Sequence, residues 1–277
     1  MSTVLDDIIV GVREDLGDRM RELPLGAVRD AATQRPAALD AFAALGGLDA
    51  PRRELKVIAE VKRRSPSKGQ LADIVDPARL ARDYADGGAS VISVLTERRR
   101  FSGSLADFDA VRSAVEIPLL RKDFMVDEYQ FHEARAHGAD LVLLIAAALD
   151  DVQLKDFLEL THELGMNALV ETHTEEEVDR GLAAGARILG VNVRNLKTLD
   201  VDRSVFGRLA GRIPSGPIIV AESGVRGSDD VAEYAGLGAN AVLVGEALVT
   251  HGSPRERIAD FQRRGAVAIA ERLNRRS

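Results

Sequence analysis

Residues 57–69 read VIAEVKRRSPSKG, and the first half-dozen decide how the rest of the chain is read. Val57, Ile58, Ala59 and Val61 are the apolar, partly β-branched residues of a buried strand. Glu60 and Lys62 interrupt that run, and Arg63, Arg64, Ser65, Pro66 and Ser67 follow at once. Alternate side chains of a strand face opposite ways. With Val61 on one face, Glu60 and Lys62 share the other. A carboxylate and an ammonium side by side at the C-terminal end of a buried strand mark the place where packed core gives way to something polar.

The same run recurs downstream. VISVL (91–95), PLLRKDF (118–124), LVLLI (141–145), ALVE (168–171), ILGVNV (188–193), IIVAES (218–223) and AVLVG (241–245) bring the strands to eight. Their starts lie 20 to 34 residues apart, room for one helix and two short loops, the spacing of a βα unit. The intervening segments carry helix punctuation. Asp76 is placed as an N-cap with Pro77 at the first helical position and Gly87-Gly88 as the stop. Thr174 with Glu177 three residues later forms a capping box. Gly185 ends that helix, and Gly138, Gly165 and Gly238 end three others. Eight such units predict a (β/α)8 barrel, for which about 250 residues is typical. An open doubly wound sheet is the rival, but no GxGxxG follows the first strand. Residues 1–50 lie outside the count and read as an N-terminal helical extension, capped at Ser2 or Thr3. It covers one barrel mouth, either for stability alone or to close a ligand pocket. Residues 1–277 are expected to form one barrel domain.

Composition sets the class. The chain has 277 residues, 45% hydrophobic and 29% charged, an ordinary globular balance. Its formal net charge of −7 argues against a nucleic-acid partner, which wants a basic face. Without cysteine there are no disulfides, no thiolate nucleophile and no cysteine-ligated metal. The five histidines, His132, His137, His162, His173 and His251, lack metal-binding spacing and read as surface or helix residues. No run approaches the roughly 18 apolar residues of a membrane span, and the acidic N-terminus does not resemble a signal peptide. The default is a cytoplasmic monomer without a membrane or nucleic-acid partner.

The strand-face argument extends to the other strands. Lys122 and Phe124 share one face; Val170 outward leaves Leu169 and Glu171 inward; Val191 and Val193 outward put Asn192, Arg194 and then Leu196 on the other side. Glu222 joins the inward set. Active sites of this fold lie at the C-terminal barrel mouth, so Glu60, Lys62, Lys122, Glu171, Asn192, Arg194 and Glu222 are expected to converge there. AESGVRG and VGEALVTHG follow strands seven and eight, the usual phosphate loops of the fold. Gly224 and Gly245 are their backbone donors and Ser223 adds a hydroxyl. A short helix starting near Glu246 turns its positive end toward an anion. Other charge runs read blandly: ERRRF (97–101) as a solvated loop within reach of the site, and the acidic stretch after Glu171 as a helix first turn.

EVKRRSPSKG, LLRKDFMVDEYQ, LVETHTEEEV, GVNVRNL, VAESGV and ANAVLVGEALV together resemble the indole-3-glycerol phosphate synthase family over essentially the whole chain. The likeness departs from some members at Arg64 and Glu246. It implies the substrate 1-(2-carboxyphenylamino)-1-deoxyribulose 5-phosphate, a phosphorylated small molecule, and ring closure with loss of CO2 and water, without cofactor or metal. It implies catalytic roles for Glu60, Lys62, Lys122, Glu171 and Asn192, with Lys122 as general acid and Glu171 as base. Lys62 either binds a substrate anion or donates the later proton. Arg194 with Asn192 orients substrate; Phe124, Leu143 and Leu196 hold the aryl ring; Ser65 and Glu222 contribute contacts. Ser223, Gly224, Gly245 and the Glu246 N–H hold phosphate. Two alternatives stay open, a phosphoribosyl isomerase-like enzyme and a non-catalytic phosphosugar-binding barrel. The absence of cysteine and the Lys122/Glu171 pairing weigh against the first; the full acid–base set weighs against the second.

Overall fold

The computed structural model describes residues 3–49, 51–67, 69–71, 74–196, 198–250 and 252–275. Eight parallel strands close on themselves: β1 (Lys56–Val61), β2 (Val91–Leu95), β3 (Leu119–Lys122), β4 (Leu141–Ile145), β5 (Asn167–Thr172), β6 (Ile188–Asn192), β7 (Ile218–Glu222) and β8 (Ala241–Val244). β1 pairs with both β2 and β8, so the barrel has no free edge. The helices preceding β1 are α1 (Val4–Glu22), α2 (Leu25–Thr33) and α3 (Ala41–Ala44). Between the strands run α4 (Pro77–Asp86), α5 (Leu105–Arg112), α6 (Glu128–Ala136), α7 (Asp151–Glu163), α8 (Glu175–Ala183), α9 (Ser204–Ala210) and α10 (Ser228–Leu237). After β8 come the one-turn α11 (Glu246–Val249) and the long α12 (Pro254–Asn274).

Two apolar layers build the barrel, and strand periodicity sorts residues between them. Outward residues such as Val57, Ala59, Val61, Val170 and Val191 pack under the helices with Tyr84, Phe108 and Phe261. Inward residues such as Ile58, Leu120, Leu169 and Val220 fill the interior. The caps follow local chemistry. Asp76 accepts the Arg79 N–H at 2.9 Å, with Pro77 at the start of α4. Thr3 and Asp6 cap α1 reciprocally; Ser2 lies outside the described residues. Gly185 takes a φ of +91° with no neighbour crowding its α-carbon, so backbone conformation alone demands glycine where α8 turns into β6.

Three expectations need correction. The capping box at α8 is only half formed. Thr174 accepts the Glu177 N–H at 3.2 Å, but the Glu177 carboxylate reaches back past the cap to the His173 N–H at 2.7 Å. β6 ends at Asn192, so Arg194 lies beyond the strand, in a single bridge with Val201. The N-terminal extension covers both barrel mouths. Leu5 and Ile8 of α1 pack at the C-terminal end beside Phe124 and Leu143. At the opposite end the Phe42 N–H donates to Asn167 at the start of β5, and the Arg187 guanidinium sits 3.8 Å above the Phe42 ring. A run of apolar residues does not disclose which mouth it will plug; chain length and the intervening turns decide it.

Candidate active site

Each odd-numbered strand carries one more inward residue above the apolar ring of Ile58, Leu120, Leu169 and Val220. Those residues are Glu60, Lys122, Glu171 and Glu222. Side chains from alternate strands form the layers of such a barrel, so four ionisable groups from four distant segments meet in one ring. The Lys122 ammonium lies 3.3 Å from Glu171 and 3.5 Å from Glu222. Lys62, one pleat above Glu60, pairs with the Glu60 carboxylate. All three carboxylates are buried, and a buried charge persists only when paired.

The pairings set the protonation states. Burial alone lowers the Lys122 pKa, but Glu171, Glu222 and Glu60 more than reverse this and hold it above the usual lysine range. Burial raises Glu171, yet Lys122, His173 and Asn192 outweigh it and keep the carboxyl well below its ordinary value. Burial, reinforced by the Glu171 charge, pushes Glu222 up to about 8. At neutral pH the ring therefore holds a charged lysine, an ionised Glu171 and a protonated Glu222. Room for Glu222 comes from the neighbouring strand β6: a methyl group on Gly190 would lie 2.0 Å from Glu222 Oε1.

The phosphate-type loops stand beside this ring. Ser223 and Gly224 adopt consecutive left-handed conformations, φ 69° and 76°. The Tyr234 hydroxyl donates to the Ser223 carbonyl at 3.2 Å and leaves no space for a side chain at 224, whose Cβ would stand 2.7 Å from it. Gly245, the cap of α11, lies against Glu60, 2.9 Å from Glu60 Oε2 to where its Cβ would be. The closeness of Glu60 is thus what leaves little room for a side chain at 245.

Every residue proposed from the sequence lines the same cavity. Ser65, Phe124, Leu143, Asn192, Arg194, Leu196 and Glu246 border it together with the ring and the glycine loops. Their roles are a separate matter, taken up below. The Arg194 guanidinium donates to the Leu199 carbonyl at 2.8 Å and its N–H to Asn192 Oδ1 at 3.0 Å, which steadies the loop after β6. Ser65 belongs to a small antiparallel pairing of Arg64–Ser65 with Gly69–Gln70.

Three contributors escaped the sequence reading, and a fourth, α1, was expected only as one of two alternatives. ERRRF is solvated only along Arg98, Arg99 and Arg100, and its two ends turn inward. Glu97 is buried and accepts the N–H groups of Arg99, Arg100 and Phe101 at 2.7–2.9 Å. Arg99 grips Asp15 and Glu14 of α1. Phe101 enters the cavity with its ring centroid 6.1 Å from that of Phe124. Val4, Leu5 and Ile8 of α1 form another wall. Outward beside Lys122, the fully buried Arg121 binds Glu133 at 2.8 Å and Asp123 at 3.2 Å, and Arg19 of α1 joins Glu133 at 2.8 Å. His173 is the clearest miss. It is neither a surface nor a helix residue but stands between Glu171 and Glu177, only 11% of its side chain exposed. Its position two residues beyond Glu171, on the same strand face, was the available signal. His132 is buried in α6, His137 caps that helix and His162 lies on α7; His251 lies outside the described residues. Among the described residues, no group of three or more such side chains is placed to hold a metal ion, and no helix is long and apolar enough to cross a membrane.

A closed (β/α)8 barrel with acid–base residues ringing one mouth and glycine loops after β7 and β8 defines the phosphate-binding class of barrel enzymes. Solved structures share that fold: 3-hexulose-6-phosphate synthase (TM-score 0.61, 15% identity, covering 76% of this chain and 99% of that one) and thiamine phosphate pyrophosphorylase from Pyrococcus furiosus (0.59, 15%, 80% and 100%). Sequence narrows the class. The family model for indole-3-glycerol phosphate synthase matches residues 5–261. The enzyme of that name from Arthrobacter sp. (strain FB24) is 70% identical, covering 98% of this chain and all of the relative. Those from Micrococcus luteus and Mycolicibacterium smegmatis are 61% and 60% identical, each covering 94% of this chain and 97% and 94% of their own lengths. The chain belongs to the indole-3-glycerol phosphate synthase family.

Proposed function

We propose that this chain closes the indole ring, converting 1-(2-carboxyphenylamino)-1-deoxyribulose 5-phosphate into indole-3-glycerol phosphate, CO2 and water. The observation that carries the reading is the contact of Lys122 with Glu171 inside a ring of buried carboxylates, next to two glycine loops suited to a phosphate. Backbone N–H groups at Ser223–Gly224 and Gly245–Glu246 hold the phosphate. Phe124, Leu143 and Leu196, with Phe101 and α1, enclose the aryl ring. Asn192, Arg194 and Ser65 orient the carboxylate and hydroxyls, a guanidinium being suited to a carboxylate.

The steps follow from the charge arrangement. The electron-rich aryl carbon bearing the carboxylate attacks the ketone carbon, and Lys122 protonates the developing alkoxide. Loss of CO2 then returns its bonding pair to the ring. Finally the former ketone oxygen leaves as water and a neighbouring carbon surrenders a proton, which needs one acid and one base. Glu171 is that base. While Lys122 is charged, Glu171 is held as a weakly basic carboxylate. Once Lys122 has given up its proton, Glu171 loses one of its two adjacent cations and becomes a stronger base. The order of proton transfers is thus built into one 3.3 Å contact. Lys62 either donates the later proton or binds a substrate anion, and Glu60 holds it in place. Protonated Glu222 serves as a hydrogen-bond donor. The protein works as a monomer in the cytoplasm and as one domain; its exposed apolar residues, among them Val10, Val75, Val152 and Val267, belong to different elements.

Turnover of that substrate, with EDTA present and indole fluorescence as the signal, tests the reading. Wild type forms indole, while Lys122→Ala and Glu171→Gln each lose at least about a hundredfold in kcat, the lower range for a general acid or base. Substrate binding without indole formation would refute ring closure and leave a phosphosugar-binding barrel.

A further inference from the structure

A titratable group in contact with Glu171, His173, has no part in these steps. His173 follows β5 and precedes the cap of α8. A single oxygen of Glu177, Oε2, accepts the His173 backbone N–H at 2.7 Å and meets ring Nδ1 at 3.0 Å. That carboxylate therefore fixes both main chain and ring. The other ring nitrogen, Nε2, faces Glu171 Oε1 at 3.3 Å, within ion-pair range but without the alignment of a directed hydrogen bond. The second oxygen of Glu171, Oε2, faces Lys122 at 3.3 Å. Thr172 ties the strand end by donating to the Gly190 carbonyl at 2.8 Å.

We propose that His173, clamped by Glu177, is a positioning residue that holds one oxygen of Glu171 so that the other stays turned to Lys122 and the cavity. The proposal rests on the reading of Glu171 as the base. Without the imidazole, one Glu171 oxygen loses its partner and is repelled by the Glu177 carboxylate, so the side chain is displaced from its present place, and an ångström of misplacement of a catalytic group lowers a rate by about a hundredfold. The groups around the pair are Lys122 on β3, Asn192 on β6, Glu222 on β7 and Glu177 on α8. Burial disfavours the imidazolium, but Glu171 and Glu177 outweigh it and raise the His173 pKa to about 10. The ring is then a cation at neutral pH and lies between two carboxylates. Removing it takes a positive neighbour from Glu171, so the Glu171 pKa rises.

Steady-state kinetics of His173→Ala, Glu177→Gln, Glu171→Gln and the double variant Glu171→Gln/His173→Ala provide the test. We expect kcat to fall about tenfold to a hundredfold in His173→Ala with KM within about threefold, and less in Glu177→Gln. The acid limb of the kcat–pH profile moves to higher pH in His173→Ala, which loses the cation beside Glu171, and not in Glu177→Gln, which keeps it. In the Glu171→Gln background, removing His173 costs nothing further, since the group it positions is gone. His173→Gln, which also removes the cation, carries the test if His173→Ala does not fold. If the acid limb stays in place in the folded His173 variant, or the double variant loses the full product of both effects, the proposal is overturned while Glu171 remains the base. If Glu171→Gln itself keeps wild-type kcat, the base assignment fails first, and the positioning role fails with it.

Discussion

Two rings of side chains lie one above the other inside the barrel, a single pleat apart on the same four strands. The lower ring, Ile58, Leu120, Leu169 and Val220, is wholly apolar and sealed. The upper, Glu60, Lys122, Glu171 and Glu222, is almost as deeply buried yet wholly ionisable. Burial is therefore not what separates core from site here. The lower ring gains stability by dispersion and exclusion of water. The upper ring stands in the same dry surroundings and holds its charges only by pairing them. A ring of that kind is poised, because each proton that moves changes the affinity of its neighbours for the next.

The comparison is broken most severely by making the lower ring incomplete. Leu169→Ala leaves a cavity directly beneath Glu171 and is expected to lower unfolding free energy by about 2–5 kcal/mol, read from denaturant midpoints. Gly190→Ala attacks the upper ring instead. Its new methyl would overlap Glu222 Oε1, so Glu222 must swing out of the ring. We expect a stability loss of about 1–3 kcal/mol with a kcat loss larger than that of a neighbouring outward substitution; unchanged kcat would show that Glu222 does not need its present place.

The third effect is the most specific. Glu222 titrates at about 8 in the folded chain against an ordinary 4.5, so between those values the folded state binds more protons than the unfolded one. Its contribution is fully present below the unfolded value and is lost as pH rises through about 8. The melting temperature of wild type should therefore fall relative to Glu222→Gln between pH 5 and 9. Parallel melting curves across that range would show that Glu222 is ionised throughout.

Much of this was legible in the one-dimensional pattern. A strand's two-residue period is enough to sort Glu60, Lys122 and Glu171 from Val61 and Val170, and the glycines place the helix ends. The misses share a cause. His173 looked like an ordinary histidine because its meaning depends on a carboxylate that turns back from the first turn of α8 instead of completing a capping box. Phe101 looked like the end of a solvated charge run because the buried Glu97, which folds that loop inward, cannot be told from a surface glutamate by its neighbours in sequence. The extension was expected over one mouth and closes both.

By itself, then, the sequence determined the eight βα units, the face on which each charged residue lies and the loops that suit a phosphate, since these follow from periods of a few residues and from local backbone chemistry. Only the tertiary structure decided which charges meet. Lys122 and Glu171 stand 49 positions apart in the chain, and their contact exists because the strands close into a barrel and stack alternate strands into one layer. The pairing, and with it every protonation state in the ring, depends on distances that no local pattern contains.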